Sequence, residues 1–212
     1  MAALKSLLLR RKTIKGTFDF PLTLEQTQDA LSAAYQAEVA HRRQPFADSS
    51  LLQSYIATSA QWLTEQQTFG LLLCGLPGNG KTTLAKAIAS LINVLNLKSS
   101  YGDAMAMRII DAKELTRLNR EHYEQFKQWR SVPMLTIDDL GEEPTEVLDY
   151  GNIISPVIDL LTYRYNEQLT TVITTNLIKK QIRERYGDRI ADRFREMMTT
   201  IIFENSSYRG QK

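Results

Sequence analysis

Eight residues limit this chain more than any others. Gly75-Leu76-Pro77-Gly78-Asn79-Gly80-Lys81-Thr82 follows the pattern G-x-x-x-x-G-K-[ST]. Its glycines permit backbone angles that turn successive N–H groups inward, which makes a nest for an anion. A helix opening at Lys81 would add the positive end of its dipole to that nest. Gly75, Pro77, Gly78, Asn79 and Gly80 are therefore expected to form the loop around a chain of phosphates, with Thr83 completing it. Lys81 is expected to reach the outer phosphates, and the Thr82 hydroxyl to ligate Mg²⁺.

Such a loop has to leave a strand and enter a helix, and the flanking sequence agrees. Residues 70–74 are an apolar run, and Leu84, Ile88, Leu91, Ile92 and Leu95 recur at three- and four-residue spacing after the loop. Four more short runs read as strands: about 106–110, then 133–137, 171–174 and 199–203. Longer helical patterns separate them, at 112–129, 152–165 and 188–198. Alternation of this kind predicts an α/β fold, a parallel five-stranded sheet flanked by helices. Upstream, Thr23 with Gln26 reads as a capping box that opens a helix fading near His41, and residues 50–62 carry a second. The expected division is a basic tail and short N-terminal helical extension over 1–60, a possible partner-binding segment, followed by the nucleotide-binding core over 61–212.

A phosphate-binding loop requires a carboxylate on a neighbouring strand to hold the metal's water shell. Residues 134–137 run apolar into Asp138 and Asp139, so Asp138 is the metal-side candidate and Asp139 the general base. Glu142 and Glu143 follow closely and compete for the base role. Asn176 ends a β-branched strand whose C-terminal edge should face the ligand, where its amide could bond the attacking water or the terminal phosphate. The alternative for Asn176 is a turn residue. Arg189 and Arg193 lie one helical turn apart, either as phosphate-directed cations or as a solvated ladder with Asp188 and Asp192.

In order, the phosphate loop, Ile137-Asp138-Asp139-Leu140-Gly141, Thr174-Thr175-Asn176, Gly187-Asp188-Arg189 with Asp192-Arg193, and Ser207-Tyr208-Arg209 resemble the DnaC/IstB-like branch of AAA+ ATPases. These are bacterial replicative helicase loaders and transposition helpers, and the likeness spans about residues 61–209. The resemblance implies a P-loop NTPase core of AAA+ type without a C-terminal lid domain. It implies ATP and Mg²⁺ as cofactors, Asn176 as the sensor amide and Arg193, with Arg189 next, as the arginine finger. Arg209 would be a phosphate-sensing or interface arginine. Asp139 stands where most AAA+ proteins carry Glu, although this branch often has Asp.

The function this favours is a Mg-dependent ATPase acting in DNA replication as a helicase-loader-like factor. It would have a replicative helicase and single-stranded DNA as partners and assemble head to tail with copies of itself when ATP is bound. A transposition helper is the nearest alternative, distinguished by its neighbouring reading frame. A nucleotide-switched DNA-binding module with negligible turnover is another. A small-metabolite kinase would need an arginine-rich lid and a substrate Asp, neither of which can be located.

Composition narrows the classes further. A net charge of +2 does not argue for nucleic acid by itself. The distribution is more informative: Lys5, Arg10, Arg11, Lys12 and Lys15 precede any acid, and residues 179–212 hold nine Lys/Arg against five Asp/Glu. Cys74, the sole cysteine, permits no intrachain disulfide, which suggests a reducing, cytoplasmic setting. No apolar run approaches the roughly 18 residues of a membrane span, and the Arg-containing start reads as a basic tail rather than a transit peptide. Cys74, Trp62 and Trp129 are expected to pack, and His41 and His122 are too far apart to suggest a metal site.

Overall fold

A computed structural model of the chain describes residues 3–6, 18, 20–98, 104–144, 147–149 and 152–208. Five strands form one parallel sheet: β1 (Gly70–Gly75), β2 (Met107–Asp111), β3 (Met134–Leu140), β6 (Thr170–Thr175) and β7 (Met198–Phe203). Their spatial order is β2-β3-β6-β1-β7. All four pairings are parallel, in registers such as Leu72↔Ile173 and Leu71↔Thr199. Every expected strand is present; β2 is shifted by one residue at the same length, and the other four are longer than expected by one or two residues.

The apolar runs lack polar alternation because both faces of the sheet are covered. Leu71 and Leu73 of β1 point to one core, Leu72 and Cys74 to the other. The first core is closed by α1 (Leu24–His41), α2 (Ser50–Glu65) and α3 (Lys81–Leu95), through Leu31, Leu52, Ile56, Leu84, Ile88 and Ile92. The second is closed by α4 (Ala112–Glu121), α5 (Tyr123–Ser131), α6 (Pro156–Asn166), α7 (Lys179–Tyr186) and α8 (Asp188–Met197). Thr23 opens α1 as expected: its hydroxyl accepts from the Gln26 N–H at 3.2 Å, and the Gln26 side chain accepts from the Thr23 N–H at 3.0 Å. The expected boundary at residues 60–61 falls inside α2, whose Leu52 and Leu63 share the first core with the sheet.

Two helical expectations need correction. The stretch 112–129 is two helices, broken at His122 (φ −144°, ψ 62°). An unbroken helix would turn Phe126 about 80° away from the Leu118 stripe; the break lets both side chains enter the core. The helix expected over 152–165 starts only at Pro156. Proline suits a first helical position but disfavours the α conformation in the residue before it. Asn152–Ile154 instead forms a short strand, β5, antiparallel to β4 (Val147–Asp149). Helix α7 had no counterpart in the sequence reading.

Candidate functional site

The C-terminal ends of β1, β3 and β6 meet along one edge of the sheet, where the connection from β1 runs one way, to β2, and that from its neighbour β6 the other way, to β7, and a crevice opens. A cavity of about 640 Å³ lies there. It is lined by residues 77–83, Asp139 and Asn176, and on the far side by Tyr35, Val39, the segment 42–47 (apart from Arg43) and Tyr208. Sequence reasoning missed this second wall. Its only signal was Pro45-Phe46-Ala47, an apolar cluster between two helices.

The loop after β1 takes the conformation its glycines permit, with Gly78 at φ +81° and Gly80 at φ +99°. Gly80 is also obligatory for space, since a Cβ there would lie 2.5 Å from the Tyr35 hydroxyl. The loop is tied to the end of the sheet and to the tail beyond it. Asn79 donates to the Phe203 carbonyl at 3.3 Å, Asn205 donates to the Asn79 carbonyl at 3.0 Å, and the Tyr208 N–H donates to the Gly78 carbonyl at 2.9 Å. The Asn79 side chain therefore shapes the loop.

Lys81 opens α3 with its ammonium gathered among oxygens. It donates to the Gly75 and Leu76 carbonyls at 2.8 Å each, to Asn79 Oδ1 at 3.1 Å and to Asn176 Oδ1 at 3.0 Å. The expected phosphate lysine and the expected sensor amide, 95 residues apart in sequence, are thus in direct contact. Thr82 and Asp138 are also brought together, the hydroxyl donating to Asp138 Oδ1 at 2.9 Å. That oxygen accepts a second bond, from the buried Thr174 hydroxyl at 2.6 Å. Thr174 also receives the Asp139 N–H at 2.9 Å, so one threonine orients both acids. Its position directly across β3 was the only signal that could have found it.

Asp139 owes its place to an irregularity. Ile137 pairs with Ile173 but Leu140 pairs with Thr175, so β3 carries one extra residue, a β-bulge. Asp139 takes the left-handed conformation there (φ +53°), which Asp tolerates better than most residues. The bulge re-aims its side chain into the cavity beside Asp138. Burial raises the pKa of the Asp139 carboxyl, the charges of Asp138 and Asp111 raise it further, and Lys81 opposes them.

The competing glutamates separate. Glu142 sits on the rim in an ion pair with Lys113 at 3.6 Å. Glu143 is 2% exposed and bonded to Gly141, Tyr186 and Arg185, so it does not face the cavity. The two arginines of α8 separate as well. Arg193 is 8% exposed, donates to the Thr162 hydroxyl at 2.7 Å and stacks 4.8 Å from the centre of the Tyr165 ring, whereas Arg189 is exposed. Arg209 lies outside the described residues. Cys74 is buried, its thiol pushed up to about 11 by desolvation.

Thr82 and Asp138 supply a hydroxyl and a carboxylate, the hard oxygen donors that Mg²⁺ takes alongside phosphate and water. Among the described residues, no group of three or more His, Cys, Asp or Glu could hold a metal by itself. The donor set therefore fits Mg²⁺ bound jointly with a nucleotide. No helix among the described residues is long and apolar enough to cross a membrane.

Known structures share the fold. The chain superposes on the crystal structure of the DnaC helicase loader with a TM-score of 0.58 at 23% identity, covering 76% of this chain and 94% of that one. For DnaI the TM-score is 0.61 at 24% identity, covering 86% and 93%. For the replication initiator DnaA bound to AMPPCP and single-stranded DNA it is 0.55 at 15%, covering 76% of this chain and 49% of that one. At these identities the likeness is one of fold. Comparison with curated protein sequences finds no match. Residues 71–198, more than half the chain and spanning β1 through the start of β7, match the ATPase family associated with various cellular activities. With the loop, its lysine, Asp139 and the strand-end amide on one cavity, and Asp138 bonded to Thr82 beside it, the chain belongs to the AAA family of ATPases.

Proposed function

We propose that this chain binds and hydrolyses Mg-ATP in the cavity at the ends of β1, β3 and β6, and acts in DNA replication as a helicase-loader-like factor. The observation that carries the first half is the convergence of Lys81, Asn176, Thr82 and Asp138 from three strand ends. Backbone N–H groups of residues 78–82 and the Lys81 ammonium bind the phosphates. Thr82 and Asp138 hold the cation, which when bound neutralises charge on the outer phosphates. Asp139 accepts the proton of the attacking water, and Asn176 orients that water or the terminal phosphate. The wall from Tyr35 to Ala47, with Tyr208, is shaped for the nucleoside.

Fold likeness to DnaC and DnaI over nearly their whole chains supports the replicative helicase as partner. Likeness to an initiator bound to single-stranded DNA, together with the excess of basic residues towards both termini, supports DNA as a ligand. ATP-dependent head-to-tail assembly would let one copy's arginine meet its neighbour's ATP. Arg189 is the better placed finger, because Arg193 is committed to Thr162 and Tyr165 within its own chain.

Titration with a fluorescent ATP analogue and a phosphate-release assay test the reading. Wild type should bind and turn over ATP only with Mg²⁺, and Lys81→Ala should lose binding. Hydrolysis by Lys81→Ala at the wild-type rate would refute the site. Failure to capture a hexameric replicative helicase in the presence of ATP would remove the proposed partner.

A further inference from the structure

We infer that Glu143 is a positioning residue for hydrolysis: it fastens the turn that carries Asp139 to helix α7. The inference rests on the ATPase reading above and adds a part to its machinery.

Beyond β3 the chain reverses through Gly141 at φ +106°. The Glu142 N–H donates to the Asp139 carbonyl at 3.1 Å, which closes a tight turn that begins at Asp139 itself. Glu143 then folds back, and its Oε2 accepts the Gly141 N–H at 2.8 Å. Its other oxygen, Oε1, accepts the Tyr186 hydroxyl and lies 3.7 Å from Arg185 Nε, while its carbonyl accepts from the Arg185 guanidinium. One buried carboxylate thus joins the acid-bearing turn to the last turn of α7, 43 residues away in sequence.

A second contact fixes the same turn. A Cβ on Gly141 would approach Leu177 to 2.7 Å, and Leu177 directly follows Asn176. The turn is packed against the sensor strand on one side and fastened to α7 on the other. A buried carboxylate is costly unless its oxygens are bonded, and both oxygens of Glu143 are engaged. Asp139 holds a left-handed backbone, which Asp tolerates but does not favour, and the Glu143 link helps to hold it there. Through this link the position of α7 bears on where Asp139 points.

Glu143→Gln keeps the shape but turns one acceptor into a donor facing other donors. It should lower kcat by about 10–100-fold, the loss typical when an outer-shell partner that orients a metal ligand is removed. Affinity for the fluorescent ATP analogue should stay within about twofold, since residues 75–83 are untouched. Tyr186→Phe removes one of the bonds and should give a smaller fall in kcat, again at constant affinity; it carries the test if Glu143→Gln does not fold. A folded Glu143→Gln and Tyr186→Phe with wild-type kcat would overturn the inference. So would a parallel loss of affinity, kcat and Tm, which is what a purely structural bond would produce. A wild type without turnover would instead overturn the ATPase reading, and this inference with it.

Discussion

Asp139→Asn separates the chemistry of this site from its architecture. Asn tolerates the left-handed backbone as well as Asp does, so φ +53° is retained and the Thr174 hydroxyl keeps its N–H donor. Only the proposed base is lost. A positioned general base contributes about 10²–10⁴ in rate, so kcat should fall by that factor, roughly 3–5.5 kcal/mol in activation free energy. Nucleotide affinity should hold. Stability carries a sign of its own. The Asp139 pKa is raised by burial and by Asp138 and Asp111, so its charge disfavours the folded state at neutral pH. That cost is fully present above the folded pKa and disappears as pH falls through it. Asp139→Asn should therefore be at least as stable as wild type at pH 7, with the advantage fading on acidification. Asp139→Ala loses the same base but pays about 1 kcal/mol more in backbone strain, a Tm lower by roughly 2–4 °C for a chain of this size. The wild-type kcat should fall on the acid side through the raised pKa of Asp139. Stopped-flow phosphate release across pH, with thermal unfolding of the three proteins, measures all of this. An Asp139→Asn variant that hydrolyses ATP at the wild-type rate, with the same acid limb, would refute Asp139 as the base.

Arg164 is fully buried without a carboxylate partner among the described residues; it donates to the Thr171 hydroxyl and to the carbonyls of Arg130, Val132 and Thr170. Arg164→Met strands those four acceptors at about 1 kcal/mol each, so Tm should drop by roughly 8–16 °C, and a change under about 2 °C would contradict the role. Arg189→Ala should keep the wild-type Tm and lose assembly-stimulated turnover, partly restored on mixing with Lys81→Ala, whereas Arg193→Ala should lower Tm; equal turnover by Arg189→Ala and wild type at assembling concentrations would remove Arg189 as the finger. Binding of single-stranded DNA, measured by anisotropy with ATP present, should weaken steeply with salt as counterions are released, and an affinity unchanged between low and moderate salt would contradict backbone recognition.

Local pattern was enough for much of this protein. The phosphate loop is contiguous, and its glycines, Lys81 and Thr82 act through conformations and dipoles that arise within a few residues. The five strands were legible because a sheet covered on both faces leaves unbroken apolar runs, and Thr23 with Gln26 announced α1 through bonds it makes with its own first turn. The helices misread were those where a local rule met a packing demand: the chain breaks at His122 so that both Leu118 and Phe126 are buried, and Pro156 delays α6 so that Asn152–Ile154 pairs with β4.

The division of labour among like residues was decided only by tertiary structure. Asp138, Asp139, Glu142 and Glu143 are near-equivalent as letters. A single extra residue in β3, visible only against β6, turns Asp139 into the cavity, and Tyr186 draws Glu143 away from it. Arg189 and Arg193 share a motif, yet Thr162 and Tyr165 of α6 bury one and leave the other in solvent. The far wall of the cavity came from Tyr35 to Ala47 and from Tyr208, segments about 160 residues apart joined by the fold. Each of these outcomes depends on partners distant in sequence, and a side chain's charge, strain and reach are set by those partners rather than by its neighbours along the chain.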